Sequence, residues 1–249
     1  IYFFNEDPQG NKAADYNVAD RYCPFETVFE QLRKHGVQAY EATPYQPPNP
    51  QTYEEICQYV STLCRQPGRK YIYAYWSEPD TTMHKLGCYC RQSVEILQAV
   101  EERTRQLCQE LENTLVIVTA DHGHMDTQGV VITDYPDLME CLVRMPSIEP
   151  RAVNFFVNPE MKAVFPDRFR KHFGNKFLLL TKEEVMQTKL FGTGEDSQRL
   201  SMMLGDFLGV AISDLSVFNT QKQLEKFRGA HAGLTEGEMR IPFIAIKKA

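Results

Sequence analysis

Nothing in this chain stays apolar for long. No run approaches the roughly 18 residues that a membrane-spanning helix needs, so no span is expected. Positive charge is not gathered either. The 27 Lys and Arg are scattered among 33 Asp and Glu, for a net charge of -6, so a nucleic-acid groove with its clustered basic face is not expected. Internal repeats and low-complexity tracts are missing, which argues against solenoids and disordered tails. No secretory signal is legible at the N-terminus. The chain begins at Ile1 rather than Met, which leaves room for a segment upstream. The seven cysteines are Cys23, Cys57, Cys64, Cys88, Cys90, Cys108 and Cys141. Their number is odd, and a chain this long needs no disulfide staples, so reduced thiols in a cytoplasmic protein are expected. One residue separates Cys88 from Cys90, which is not zinc-knuckle spacing.

What is present is ordinary globular composition, 43% apolar and 24% charged. The 249 residues suit one large α/β domain, or one domain carrying an insertion. Two short apolar runs, Tyr71 to Tyr75 and Leu115 to Thr119, read as buried strands. Gln92 to Glu112 lies between them with apolar residues at helical spacing. Strand, long helix, strand implies a crossover and a parallel sheet. Upstream, Phe25 to Lys34 reads as a helix ended by Gly36, Val37 to Tyr40 as a strand and Thr52 to Arg65 as a helix. A last strand is expected at Phe243 to Ile246, after Pro242. The middle differs in texture. Ala152 to Val157, Phe177 to Leu180 and Val210 to Val217 read as strands, with helices at Pro166 to Phe173 and Lys182 to Thr188. The predicted organisation is α/β, with a mainly parallel central sheet flanked by helices over residues 1–147 and 206–249, and a small α+β cap insertion over 148–205.

Four of the six histidines fall in three clusters. The first is Glu78-Pro79-Asp80-Thr81-Thr82-Met83-His84, just after the strand ending at Tyr75. The second is Thr119-Ala120-Asp121-His122-Gly123-His124, just after the strand ending at Thr119. The third is Gly229-Ala230-His231-Ala232-Gly233, shortly before the final strand. Ligands of open α/β sheets bind beyond the carboxyl ends of strands, and Asp with His suits zinc or manganese. Asp80 and His84, four residues apart, can face one ion. Adjacent Asp121 and His122 can do so only where the backbone turns sharply, which Gly123 permits. Blander readings compete: Asp-x3-His as a surface turn, Asp121 as a helix N-cap, His231 as a loop residue. His124 reads either as a partner of the ligands or as a substrate contact, and otherwise as structural. His35 and His172, on polar helix ends, read as solvent-exposed.

With these residues on the page, YAYWSEPDTTMH, VIVTADHGH and HAGLTEGEMRIPFIA resemble the later part of the type I phosphodiesterase/nucleotide pyrophosphatase family of the alkaline phosphatase superfamily. The resemblance runs from about residue 70 to the end and implies an alkaline-phosphatase-like core. It implies that Asp80, His84 and His231 bind one ion, and that Asp121 and His122 bind a second. It implies two divalent cofactor ions, zinc first and manganese next, acting on a small phosphate ester or nucleotide as a phosphodiesterase. A phosphomonoesterase or phosphosugar mutase of the superfamily, or a metal-binding domain without activity, are the alternatives. Sulfatases need an acidic calcium-type cluster that the sequence does not show. No matching Asp or Thr nucleophile motif is found in residues 1–69, so the nucleophile is expected upstream of this chain. A sheet truncated in this way would expose an unpaired apolar edge and favour self-association.

Overall fold

The structure, a computed structural model, describes residues 14–16, 21–22, 24–197 and 199–248. Cys23 lies outside them. The chain divides into two compact units, Ile1–Trp76 and Ser77–Ala249.

In the first unit, helix Val28–Lys34 leads to strand β1 (Gln38–Ala42), helix Tyr53–Cys64 and strand β2 (Lys70–Ala74). Both helices start where the sequence writes Thr-x-x-Glu. The hydroxyls of Thr27 and Thr52 accept the amides of Glu30 and Glu55, whose carboxylates return to the cap backbone, satisfying otherwise orphaned donors. Helix Tyr53–Cys64 buries Ile56, Cys57, Val60 and Leu63 on one face, against β1 and β2. The two strands are parallel, Ala39 beside Tyr71, as the helical crossover between them requires. Alternation along β2 sets Tyr71 and Tyr73 on one side, where Phe29 meets them at 6.0 and 6.1 Å.

The second unit opens with helices Asp80–Leu86 and Arg91–Glu110, then β3 (Thr114–Thr119), β4 (Met125–Asp126) and β5 (Gln128–Val131). A four-stranded sheet follows. Its members are β6 (Ser147–Glu149), β7 (Ala152–Phe155), β8 (Phe177–Thr181) and β9 (Phe207–Ala211), in the order β6-β7-β9-β8. The chain then forms β10 (Leu215–Phe218), β11 (Gly229–Ala230), helix Glu236–Met239 and β12 (Phe243–Lys248).

Helix Phe165–Phe173 covers the four-stranded sheet. Its Phe165, Phe169 and Phe173, at i, i+4 spacing, are buried with Phe155, Phe177 and Phe207 in a phenylalanine-rich core. Neighbouring ring centroids lie 5.0–6.0 Å apart, a range in which tilted and edge-to-face packing adds to burial.

One expectation is not confirmed and two are corrected. First, the described strands do not show a mainly parallel sheet. Only β1–β2 and β5–β10 pair in parallel; β3–β12, β4–β11 and the four-stranded sheet are antiparallel. The start of β12, Phe243, lies beside the end of β3, Thr119, so β12 must run back along it. The link from β6 to β7 is also far shorter than a parallel crossover needs. Second, Val210 to Val217 is two strands rather than one. The Ser213 hydroxyl accepts the Leu215 amide at 3.1 Å, a local bond that competes with the ladder. Third, His172 is not solvent-exposed. Its Nε2 is 2.8 Å from both oxygens of Asp137, and its ring stands edge-on to Tyr135 at 4.9 Å. His35 is exposed, as expected.

Candidate metal centre

Asp80 is the first residue of helix Asp80–Leu86, and His84 lies one turn further on the same face. The Oδ1 of Asp80 is 3.4 Å from Nε2 of His84. The other ring nitrogen of His84, Nδ1, lies 2.9 Å from the Gly229 carbonyl. That contact is a donation to a backbone acceptor, and it leaves the Nε2 lone pair facing Asp80. The ring of Phe227 stands edge-on to His84 at 5.0 Å.

His122, Gly123 and His124 fill the loop from β3 into β4. Pairing of β4 with β11, Met125 opposite Ala230, brings the His124 and His231 loops together. His122 and His231 stack with centroids 3.6 Å apart. His124 points Nδ1 at Oδ1 of Asp80, 3.1 Å away, with its side chain only 3% exposed. Its Nε2 is buried and meets no hydrogen-bond partner. Asp121 stays outward, 68% exposed, with Oδ1 3.6 Å from Nε2 of His122. The five residues brought together are therefore Asp80, His84, His122, His124 and His231.

Two sets of donor atoms each lie within 4.8 Å of one another: Asp80, His122 and His231, and Asp80, His84 and His124. Asp80 belongs to both; Asp121 belongs to neither. Burial opposes charge on Asp80, but the His124 contact and the surrounding imidazoles outweigh it and lower its pKa. Burial, above all, lowers His84. Burial and then the neighbouring His122 and His84 bring His231 down to about 4. At neutral pH the centre thus presents a carboxylate beside neutral imidazoles at His84 and His231, the protonation states that divalent ions require. The donor set fits zinc or manganese.

Sequence reasoning assigned Gly123 to a sharp turn, but Gly123 has no positive φ. Its role is close approach: a Cβ there would lie 2.2 Å from the carbonyl oxygen of Gly237. Sequence reasoning also missed the buried pair Arg151–Glu238. Glu238 accepts the Gly233 amide at 2.7 Å, and its own carbonyl accepts the Gly123 amide at 2.8 Å. One glutamate therefore ties together the loops that carry His122, His124 and His231. The signal available was Thr235-x-x-Glu238, a capping box, which discloses the local contact and not the distant arginine.

Helix Asp80–Leu86 is followed by two thiols in contrasting settings. Burial, with Asp126 next in effect, pushes Cys88 up to about 12. The Ser93 hydroxyl, 3.1 Å from Sγ, and the Ser93 amide, 3.3 Å away, hold Cys90 below the usual thiol value. Thiolate is the reactive form, so at pH 8 we expect an alkylating reagent to modify Cys90 at least about tenfold faster than Cys88. Peptide mass mapping over time is the check, and equal rates would count against this placement.

The profile of the type I phosphodiesterase / nucleotide pyrophosphatase family matches residues 9–154, more than half of the chain. The chain belongs to this family. The match reaches further toward the N-terminus than the motifs did. It takes in Asp80, His84, Asp121, His122 and His124 and ends before His231. No curated protein sequence matches the chain. Among solved structures, it is similar to murine ectonucleotide pyrophosphatase / phosphodiesterase 5, in an inactive form in complex with AMP. There the TM-score is 0.66 and identity 14%, over 88% of this chain and 63% of that one. The human form gives a TM-score of 0.65 at 15% identity with the same coverage. Phosphonoacetate hydrolase from Sinorhizobium meliloti, in complex with phosphonoformate, gives 0.66 at 13% identity, over 96% of this chain and 72% of that one. At such identities the likeness is one of fold, an alkaline-phosphatase-like α/β architecture. The chain spans less than two thirds of the length of the ectonucleotide pyrophosphatase structures.

Proposed function

We propose that this chain is the metal-binding part of a phosphodiesterase or nucleotide pyrophosphatase that acts on small phosphate esters with two divalent ions, zinc first and manganese next. The observation that carries the reading is a single carboxylate, Asp80, that shares one set of donors with His84 and His124 and another with His122 and His231. The fold shared with an AMP-bound ectonucleotide pyrophosphatase supports a nucleotide or a related ester as substrate. In this reading the segment 148–205 serves as the cap, whose loops would select the substrate.

Bound there, divalent ions supply the charge that neutralises phosphoryl oxygens and holds attacking and leaving oxygens in line. The chain's own residues do the positioning. Asp80 supplies anionic charge. The Gly229 carbonyl fixes the tautomer and tilt of His84, as outer partners of metal-bound histidines do. Stacking fixes the His122 and His231 rings against each other. The hydroxyl of Thr27 is bound to Glu30 at 2.9 Å in a helix cap. Thr81 and Thr82 are helical residues between Asp80 and His84. We place the Thr or Ser nucleophile in sequence outside these 249 residues.

The test is metal analysis together with hydrolysis of a chromogenic phosphodiester in added zinc or manganese. The chain should retain a divalent ion through purification without chelator, His84→Ala should lose most of it, and turnover should stay at background. Failure of the unaltered chain to hold any ion would overturn the metal assignment. Brisk turnover would place the nucleophile inside the chain, with Thr27, Thr81 and Thr82 the first residues to replace.

A further inference from the structure

Helix Asp80–Leu86 carries two residues of the candidate centre, Asp80 and His84, yet little holds it. It has seven residues and fully buries none of them. A helix so short is marginal on its own, and this one lacks the buried apolar stripe that anchors most surface helices. Asp80 and His84 nevertheless need fixed positions if both are to face an ion. Polar ties at the far end of the helix supply the hold. The Arg228 amide donates to the His84 carbonyl at 2.6 Å, and the Gly229 carbonyl lies 2.9 Å from Nδ1 of His84. Both of these come from backbone at the start of β11. The third comes from a side chain. Oδ1 of Asp126 accepts the amide of Cys88, just past the helix, at 2.6 Å, a short bond of the charge-assisted kind.

The turn that ends the helix is shaped around that carboxylate. Gly87 has φ at 96°, a conformation costly for any residue with a side chain. A Cβ there would also lie 3.0 Å from Oδ1 of Asp126. From the other side, the Gly87 carbonyl accepts the buried Ser93 hydroxyl at 3.0 Å. Asp126 is itself placed by β4, where it stands opposite Gly229 of β11. The next amide, that of Thr127, donates to the Arg228 carbonyl at 3.0 Å. Asp126 thus lies beside the His124 loop, faces the residue that orients His84, and grips the chain end of the helix that bears Asp80. It belongs to neither set of donors.

We propose that Asp126 is a positioning residue of the ion centre. Its carboxylate, acting through the Cys88 amide, locks helix Asp80–Leu86 onto the β4–β11 pair and so fixes Asp80 and His84 relative to His124 and His231. The inference rests on the ion-binding reading above. What Asp126 contributes is a hydrogen-bond acceptor, so asparagine should replace it and alanine should not.

Cobalt(II) titration, read by visible absorption and calorimetry, and hydrogen exchange of the ion-free chain test this together. Asp126→Ala should weaken cobalt binding about tenfold, the lower end of what loss of an orienting partner costs. Without ions, its amides from His84 to Cys88 should exchange faster while those of the four-stranded sheet keep their rates, as local opening requires. Asp126→Asn keeps an acceptor oxygen for the Cys88 amide and should restore both the affinity and the slow exchange. An alanine variant that binds cobalt like the unaltered chain, or an asparagine variant as weak as alanine, would overturn the role of Asp126 and leave the ion-binding reading standing. Faster exchange throughout the four-stranded sheet of Asp126→Ala would overturn it too, since the loss would then be one of general stability. An unaltered chain that takes up no cobalt would overturn the ion-binding reading and this inference with it.

Discussion

Replacing Arg151 with Met should destabilise the protein by about 3–5 kcal/mol, the usual result of breaking a buried ion pair from one side. Arg151 and Glu238 have side chains 0% and 1% exposed. Two parallel bonds join them, Nε to Oε2 at 2.7 Å and Nη2 to Oε1 at 2.6 Å. Two further guanidinium protons go to the carbonyls of Leu215 and Ser213 at 3.0 and 2.7 Å. The carboxylate also accepts the amides of Gly233 and Thr235 at 2.7 and 3.0 Å. Without the arginine, a carboxylate is left enclosed with only backbone and hydroxyl donors. The double replacement Arg151→Met with Glu238→Leu should lose less than the sum of the two singles, because no charge remains to be compensated. Denaturant midpoints of the three variants decide the matter, and strict additivity would refute the coupling.

The pair also sets an acid limit. Burial alone would raise the Glu238 pKa, but the guanidinium, Thr235 and Gly233 outweigh it and hold it below the usual value. A depressed folded value contributes stability above the unfolded pKa of about 4.3. That contribution is lost as pH falls through the lower folded value. The unaltered chain should therefore keep its stability to a lower pH than Arg151→Met does.

A second large effect is expected at Gly123→Ala. The new methyl group would sit 2.2 Å from the Gly237 carbonyl oxygen, 2.9 Å from that of Arg240 and 3.0 Å from the Glu238 Cα. These are backbone atoms of a segment pinned by Arg151 and cannot yield as a side-chain tip would. Overpacking of this kind costs about 1–3 kcal/mol or more. The residues displaced are His122 and His124 themselves, so divalent-ion affinity should fall with stability. Gly237→Ala is the control: there a Cβ would meet nothing nearer than 3.9 Å, in a helix that prefers alanine. Thermal melts and ion titrations of both variants are the measurements. A Gly123→Ala protein that melts and binds like the unaltered chain would show that the two backbones are not locked together.

Much of this architecture was legible in the sequence because its causes are local. The helices expected at Phe25 to Lys34, Thr52 to Arg65, Pro166 to Phe173 and Lys182 to Thr188 lie close to the helices found, and the caps at Thr27, Thr52 and Thr181 that start three of them are contacts between residues three apart. Asp80, His84, Asp121, His122 and His231, with His124 beside them, could be named as candidates because aspartate and histidine gathered beside apolar strands suit a divalent ion; of these Asp121 stays outward. Strand pairing was not legible. Nothing in the final strand says that it turns back along β3; that follows from where the preceding loop delivers it. The partner of Arg151, 87 residues distant, was beyond any local pattern. The grouping of the histidines was hidden for the same reason, since it depends on β4 meeting β11, two strands of two residues each.

The phenylalanine core and the histidine cluster have no residue in common. Folding of the four-stranded sheet is therefore expected not to wait on an ion, and a chelator that empties the histidine cluster is expected to leave this sheet folded.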